Sequence, residues 1–141
     1  MSLKIFEEED EDVWVVDGFQ ISDPRPPIRV SVNKEGSPPS IDEIAKIEKI
    51  TTDIEPLILR AAELILDNYS YDHFKKLGVD ESKLVEETPE AIAVAVSLIE
   101  LSFFDVDGGE FEASFTAPWD PHHSFDVEHE EGEPTCCAVN G

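Results

Sequence analysis

The residues best suited to bind a metal lie in one stretch of the sequence. Asp120, His122 and His123 follow Trp119, and His129 comes six residues after His123. Carboxylate and imidazole groups are common ligands of zinc and other transition metals, so these are candidate ligands. Adjacent histidines, however, lack the spacing that places two ligands on one face of a strand or helix. We favour a turn in which Asp120 caps backbone amides and Trp119 anchors the corner in the core.

Other catalytic and cofactor motifs are weak. The segment from Asp105 to Glu110 places acids around a glycine pair, as in part of a calcium loop, but an EF-hand requires about twelve residues between two helices. Ser124 is adjacent to His123 only in sequence, and neighbouring strand residues point to opposite faces. The sequence contains neither glycine motif that cradles nucleotide phosphates. We predict a protein that is not an enzyme and uses no cofactor.

The charge of the chain predicts its partners more clearly than its chemistry. The formal net charge is −23, and no Lys or Arg follows Lys83. Such a surface repels nucleic acid and anionic membranes, and it attracts basic proteins over a Debye length of about 8 to 10 Å. The expected partner is therefore a basic protein.

Cysteine usage and hydropathy predict a soluble, cytoplasmic chain. Cys136 and Cys137 are adjacent, and neighbouring residues rarely meet disulfide geometry. No run approaches the roughly 20 apolar residues of a membrane span, and the first residues are acidic where a secretory signal is basic and then apolar. A length of 141 residues suits a single domain, 1–141.

The first third of the sequence reads as short strands. Alternating or β-branched residues predict strands over 3–6, 13–16, 19–21 and 28–32. The six consecutive acids of residues 7–12 predict a solvated loop or hairpin tip, and turns are expected at Asp17-Gly18 and Asp23-Pro24.

The middle third reads as helices. Ser40 and Glu43 form a capping box, and apolar residues then recur every three to four positions through residues 40–68. Pro56 lies inside this pattern, so we expect either one kinked helix or a second helix with Pro56 in its first turn. A short helix over 72–77 should end at Gly78 in a left-handed cap.

The last third reads as an antiparallel meander. Thr88-Pro89 predicts the start of a short helix, which we expect to give way to a strand from about residue 95; a continuous helix through residue 101 is the competing interpretation. A turn at residues 107–109, an alternating strand around Phe111, a Pro-rich corner at 118–121, a strand over 124–129, a turn at 131–132 and a strand over 135–139 follow.

These elements predict one α+β domain with an N-terminal β-hairpin region, one long or kinked helix with short helices, and a C-terminal antiparallel meander. Alternation places several acids of the meander on its outward face, and a turn exposes others. Our predicted partner-binding residues are Glu112, Asp126, Glu128, Glu130 and Glu131.

The closing segment carries a family resemblance. A long helix, a hairpin and a Trp-Asp-Pro-x-His corner resemble a loose group of uncharacterised small bacterial proteins that have a closing D-P/E-E-H-G segment. Asp120, Pro121 and His123 match this segment, whereas His122 and Ser124 replace its usual acid and glycine. The resemblance covers the last third of the chain, and it implies an immunity protein that neutralises a toxin and has no catalytic residues.

Charge and resemblance lead to the same expected function by different routes. We predict a non-enzymatic inhibitor or immunity protein that neutralises a basic toxin, for example a nuclease, by charge complementarity. Two alternatives stay open: a metal-binding protein or metalloenzyme that uses the histidine cluster, and a soluble acidic domain whose charge serves solubility alone.

Overall fold

In the computed structural model, which describes residues 6–22 and 25–141, seven strands form one sheet whose spatial order is the chain order. Every neighbouring pair is antiparallel except β3 and β4, which are parallel. The strands are β1 (Glu7–Asp10), β2 (Val13–Phe19), β3 (Ile28–Asn33), β4 (Ser97–Asp105), β5 (Glu110–Ala117), β6 (Asp120–Glu130) and β7 (Glu133–Asn140). The mixed α+β class is confirmed, but the predicted N-terminal hairpin region and C-terminal meander belong to one continuous sheet.

The helices occupy the connection between the two parallel strands. Parallel neighbours cannot be joined by a tight turn, so a long crossover is required. It contains α1 (Ile41–Thr52), α2 (Ile54–Leu66), α3 (Tyr71–Lys76), a 3₁₀ turn (Glu81–Lys83) and α4 (Pro89–Ala95).

Local signals define these helices. Glu43 N–H donates to Ser40 Oγ at 3.1 Å, and Ser40 N–H donates to Glu43 Oε1 at 2.9 Å, so the predicted capping box is present. The helical pattern divides at Asp53, and Pro56 lies in the first turn of α2, where a missing N–H costs no helical bond. The two-helix version of the prediction is therefore confirmed. Gly78 has φ +91°, as expected for a left-handed cap.

The sheet has one face against the helices and one face toward solvent. Phe111, Ala113 and Phe115 of β5 are buried in the core together with Ile58 and Ile65 of α2, and they alternate with half-buried polar residues. By register, the polar positions of β3 to β7 lie together on the opposite side. We call that side the open face; its residues by register are Arg29, Ser31, Glu100, Ser102, Glu112, Ser114, Ser124, Asp126, Glu128, Cys136, Ala138 and Asn140.

Two N-terminal predictions are wrong at least in part. Of the acidic run, Glu7–Asp10 is strand β1, and only residues 11 and 12 form the predicted hairpin tip. Exposed acids are tolerated there because β1 is an edge strand. Gly18, with φ +75°, marks a register shift within β2, where we expected a turn between strands. The predicted strand at 3–6, except Phe6, and the Asp23-Pro24 turn lie outside the described residues.

The structure also tests the predicted elements of the C-terminal third. Helix α4 gives way to β4, so the short helix followed by a strand is confirmed over the continuous helix. The Pro-rich corner is shorter than expected, because β6 already begins at Asp120. Glu131 and Gly132 have φ +53° and +78°, the values of a two-residue turn that matches strand twist.

Candidate functional site

The four candidate metal ligands do not form one site. Asp120 Oδ1 lies 2.7 Å from His123 Nδ1, and His122 is exposed beside them. His129 lies six residues further along β6, about 20 Å away at 3.3 Å per residue. Within residues 6–22 and 25–141, no group of three or more His, Cys, Asp or Glu side chains could hold a metal ion. Asp120 therefore pairs with a histidine, where we expected it to cap backbone amides.

His129 is part of the core. Its exposed fraction is 2%, and its ring stacks on Phe111 with centroids 4.3 Å apart. Nδ1 donates to the carbonyl oxygen of Val127 at 3.0 Å, which leaves Nε2 buried without a partner. Burial, with a smaller contribution from the nearby Arg60 charge, lowers the pKa of His129 to about 4, so the ring is neutral at physiological pH.

Trp119 anchors the turn between β5 and β6, as the sequence predicted. Its exposed fraction is 1%, and it packs on Tyr69 and Phe125 with centroid distances of 4.5 and 6.2 Å. The Tyr69 hydroxyl donates to Val85 O at 2.7 Å and accepts from Val85 N–H at 2.9 Å. Trp119 is therefore a core residue rather than an exposed anchor for a partner.

Carboxylates converge on the open face. Glu112 of β5 lies directly opposite Glu128 of β6, and Ser114 lies opposite both Asp126 and Glu100 on its two flanking strands. Burial raises the pKa of the half-buried Glu112, and the negative charges of Asp126, Glu128 and Glu100 raise it further. Glu112 thus lies at the centre of four acids on three adjacent strands.

Two of these acids extend toward strand β7. Asp126 Oδ2 accepts from Ser124 Oγ at 3.2 Å and from the Asn140 amide, and its exposed fraction is only 8%. Glu128 Oε2 accepts from Cys136 Sγ at 3.1 Å. Our prediction that Asp126 is an exposed contact residue is therefore wrong, because flanking side chains cover it, whereas Glu128 is exposed as expected.

Among the described residues, most of these four acids have no Lys or Arg partner. Arg29 Nε approaches Glu100 Oε2 at 3.8 Å, but Arg29 also pairs with Glu9 and Asp17. Other Lys and Arg side chains pair with acids away from the cluster, as Lys46 does with Asp107 and Arg60 with Glu133. In the described parts of the chain, neither Glu112, Asp126 nor Glu128 forms a salt bridge with Lys or Arg.

An exposed phenylalanine borders the acids. Phe104 has an exposed fraction of 52% and lines a recess of about 240 Å³ with Phe111, His129 and three acids, Glu110, Glu128 and Glu130. We did not single out Phe104 or Glu100 from the sequence. The sequence contained a signal for Phe104: Phe103 and Phe104 are consecutive residues of a strand, so one of the two rings must face away from the core. Glu131, in the neighbouring turn, is exposed as predicted.

The cysteines have little thiolate character. Burial raises the pKa of Cys137 to about 11, and the hydrogen bond to Glu128 raises the pKa of Cys136. Since the thiolate is the nucleophile, neither residue is activated in this acidic region.

No protein-family model, no characterised protein and no solved structure matches this chain. Within the described residues, no helix is long and apolar enough to cross a membrane.

Proposed function

We propose that this chain is a non-enzymatic binding protein that docks a cationic protein on its open face, as an inhibitor or immunity protein of a basic toxin. The observation that carries the proposal is the cross-strand pair of Glu112 and Glu128, two acids that have no Lys or Arg partner among the described residues. Burial and the neighbouring negative charges raise the pKa of Glu112. Like charges this close repel one another, and a bound cation would relieve that repulsion.

The recess at Phe104 supplies the second half of a docking site. Charge speeds the encounter of two proteins more than it holds them, so a tight complex also needs apolar anchoring. Phe104 offers an aromatic surface beside Glu110, Glu128 and Glu130. An arginine side chain of the partner fits this chemistry, because its stem packs on aromatic surface and its guanidinium bonds to carboxylates.

A nuclease is one kind of partner that fits. Enzymes that hold phosphates present Lys and Arg on their substrate surface, and an acidic face can occupy that surface in place of the nucleic acid. This choice of partner depends on the charge of the open face together with the resemblance described for the closing segment.

The test compares two variants with the same net charge. Glu112→Gln, Glu128→Gln and Glu130→Gln remove three acids from the open face and the adjoining recess at Phe104, whereas Glu63→Gln, Glu86→Gln and Glu87→Gln remove three exposed acids elsewhere. Each protein is immobilised and exposed to lysate of the source organism at low salt, and the association rate of any retained basic protein is then measured.

The expected result is that the open-face variant binds that protein at least about tenfold more slowly than wild type, while the control variant is nearly unchanged. Equal losses in the two variants would mean that only total charge matters. The acidic composition would then serve solubility, and the proposal would fail.

A further inference from the structure

Strand β7 is an open edge of the sheet. In the order of described strands it has a neighbour on one side only, β6. A strand in this position presents backbone N–H and C=O groups that no other strand satisfies, which makes it a template for an added strand.

The register identifies which groups face outward. Glu130 and Glu133 flank a two-residue turn, so they exchange both backbone hydrogen bonds. The next pair, His129 with Pro134, is then the non-bonded kind, which suits a proline that has no N–H. Continuing this alternation past the bulge at Thr135, Ala138 bonds to β6, whereas Cys137 and Val139 turn their N–H and C=O toward the free edge.

The two edges of the sheet differ in their protection. Strand β1 is short, carries only acids and has a register shift between Glu8 and Asp10. Strand β7 is regular from Cys136 to Asn140, and its last six residues, Thr135 to Asn140, carry no charge. Charge, bulges and short length are the usual means of blocking an edge, and the later part of β7 has none of them.

The carboxylates of the open face are within reach of a strand added at this edge. Glu128 already leans over β7 to Cys136 Sγ, and Asp126 accepts from Asn140. Strands are about 4.8 Å apart, so an added strand lies about 10 Å from β6. The small side chains of Cys136 and Ala138 leave room for a Lys or Arg stem to cross that distance.

We propose that β7 pairs with an extended segment of the partner in which Lys or Arg alternates with uncharged residues. This inference rests on the proposed function and adds the binding mode. Backbone hydrogen bonds to Cys137 and Val139 hold the segment, and its basic side chains lie on the open-face side, beside the exposed Glu128.

The test uses a short synthetic peptide in which lysine alternates with valine, and a matched peptide with the same charges but N-methylated backbone amides at every second residue. Val139→Pro removes one outward N–H without removing a bond to β6, and Val139→Ala is its control. Affinity is measured by calorimetry at low salt, and hydrogen exchange of the Cys137 and Val139 amides is followed with and without peptide.

The expected result is that N-methylation and Val139→Pro each weaken binding about tenfold or more, that Val139→Ala does not, and that peptide slows exchange of both amides. If methylated and plain peptides bind equally, charge alone holds the segment; the edge proposal is then overturned, while the proposed function survives. If neither peptide binds the wild-type protein, the edge proposal is overturned, and the open-face and control variants described above decide the proposed function separately. A third outcome is that no peptide binds and the protein instead forms concentration-dependent dimers that Val139→Pro disrupts. The edge would then pair with a second copy of this chain, and the proposal would be overturned.

Discussion

Acidification should destabilise the protein through one buried side chain, His129. Its pKa is about 4 in the folded state, mainly because the ring is buried, against an ordinary value of 6.5. The unfolded chain therefore takes up a proton at higher pH than the folded chain does. The stabilisation is fully present above pH 6.5 and is lost as the pH falls toward 4.

The size of the effect follows from the two pKa values. A difference between 6.5 and about 4 corresponds to about 3 kcal/mol when the loss is complete. By about pH 4.5, roughly 2.5 kcal/mol should already be lost, a large part of the stability of an ordinary domain.

The assay must separate His129 from the many acids that also titrate in this range. We would measure urea unfolding of wild type and His129→Leu at constant ionic strength over a series of pH values, and compare the differences in free energy of unfolding. The exposed His122→Leu is the control. Between about pH 7 and about pH 4.5, the free energy of unfolding of wild type should fall by about 2.5 kcal/mol more than that of His129→Leu. The control His122→Leu should show the same pH dependence as wild type. Parallel curves for wild type and His129→Leu would refute the assignment of a depressed pKa to this ring.

Two further predictions concern the open face and the core. Burial and the neighbouring acids raise the pKa of Glu112 in the folded state, so its ionised form destabilises the fold as the pH rises. Glu112→Gln should therefore raise the melting temperature near pH 7 and have less effect near pH 4; an equal effect at both pH values would contradict the raised pKa. Trp119→Ala should lower the free energy of unfolding in urea by about 3 to 5 kcal/mol, because it leaves a cavity beside Tyr69 and Phe125. A loss below about 1 kcal/mol would show that the turn does not depend on this anchor.

Features governed by neighbouring residues could be predicted from the sequence. The capping box of Ser40, the placement of Pro56 in a first helical turn and the alternation around Phe111 depend on a few adjacent positions, and the structure has all three. The same locality explains why the outward direction of Glu112 and Glu128 was predictable from strand period alone.

Features that depend on distant parts of the chain were not predictable. Nothing near β3 or β4 indicates that these two strands pair in parallel and join all seven into one sheet. Asp126 is covered by Asn140, a residue of the next strand, so its burial could not be read from its own segment. The acids of β1 form a strand because β2 offers a partner, which overrides their low strand propensity.

The single parallel pair in the sheet has a consequence for the order of folding. Strands β4 to β7 are joined by tight hairpins, so their contacts close short loops. Pairing of β3 with β4 instead closes a loop of roughly 60 residues, which costs more chain entropy and delays the contact. We expect the hairpins of β4 to β7 and the hairpin of β1 and β2 to form first, and the pairing of β3 with β4 to join the two parts of the sheet later.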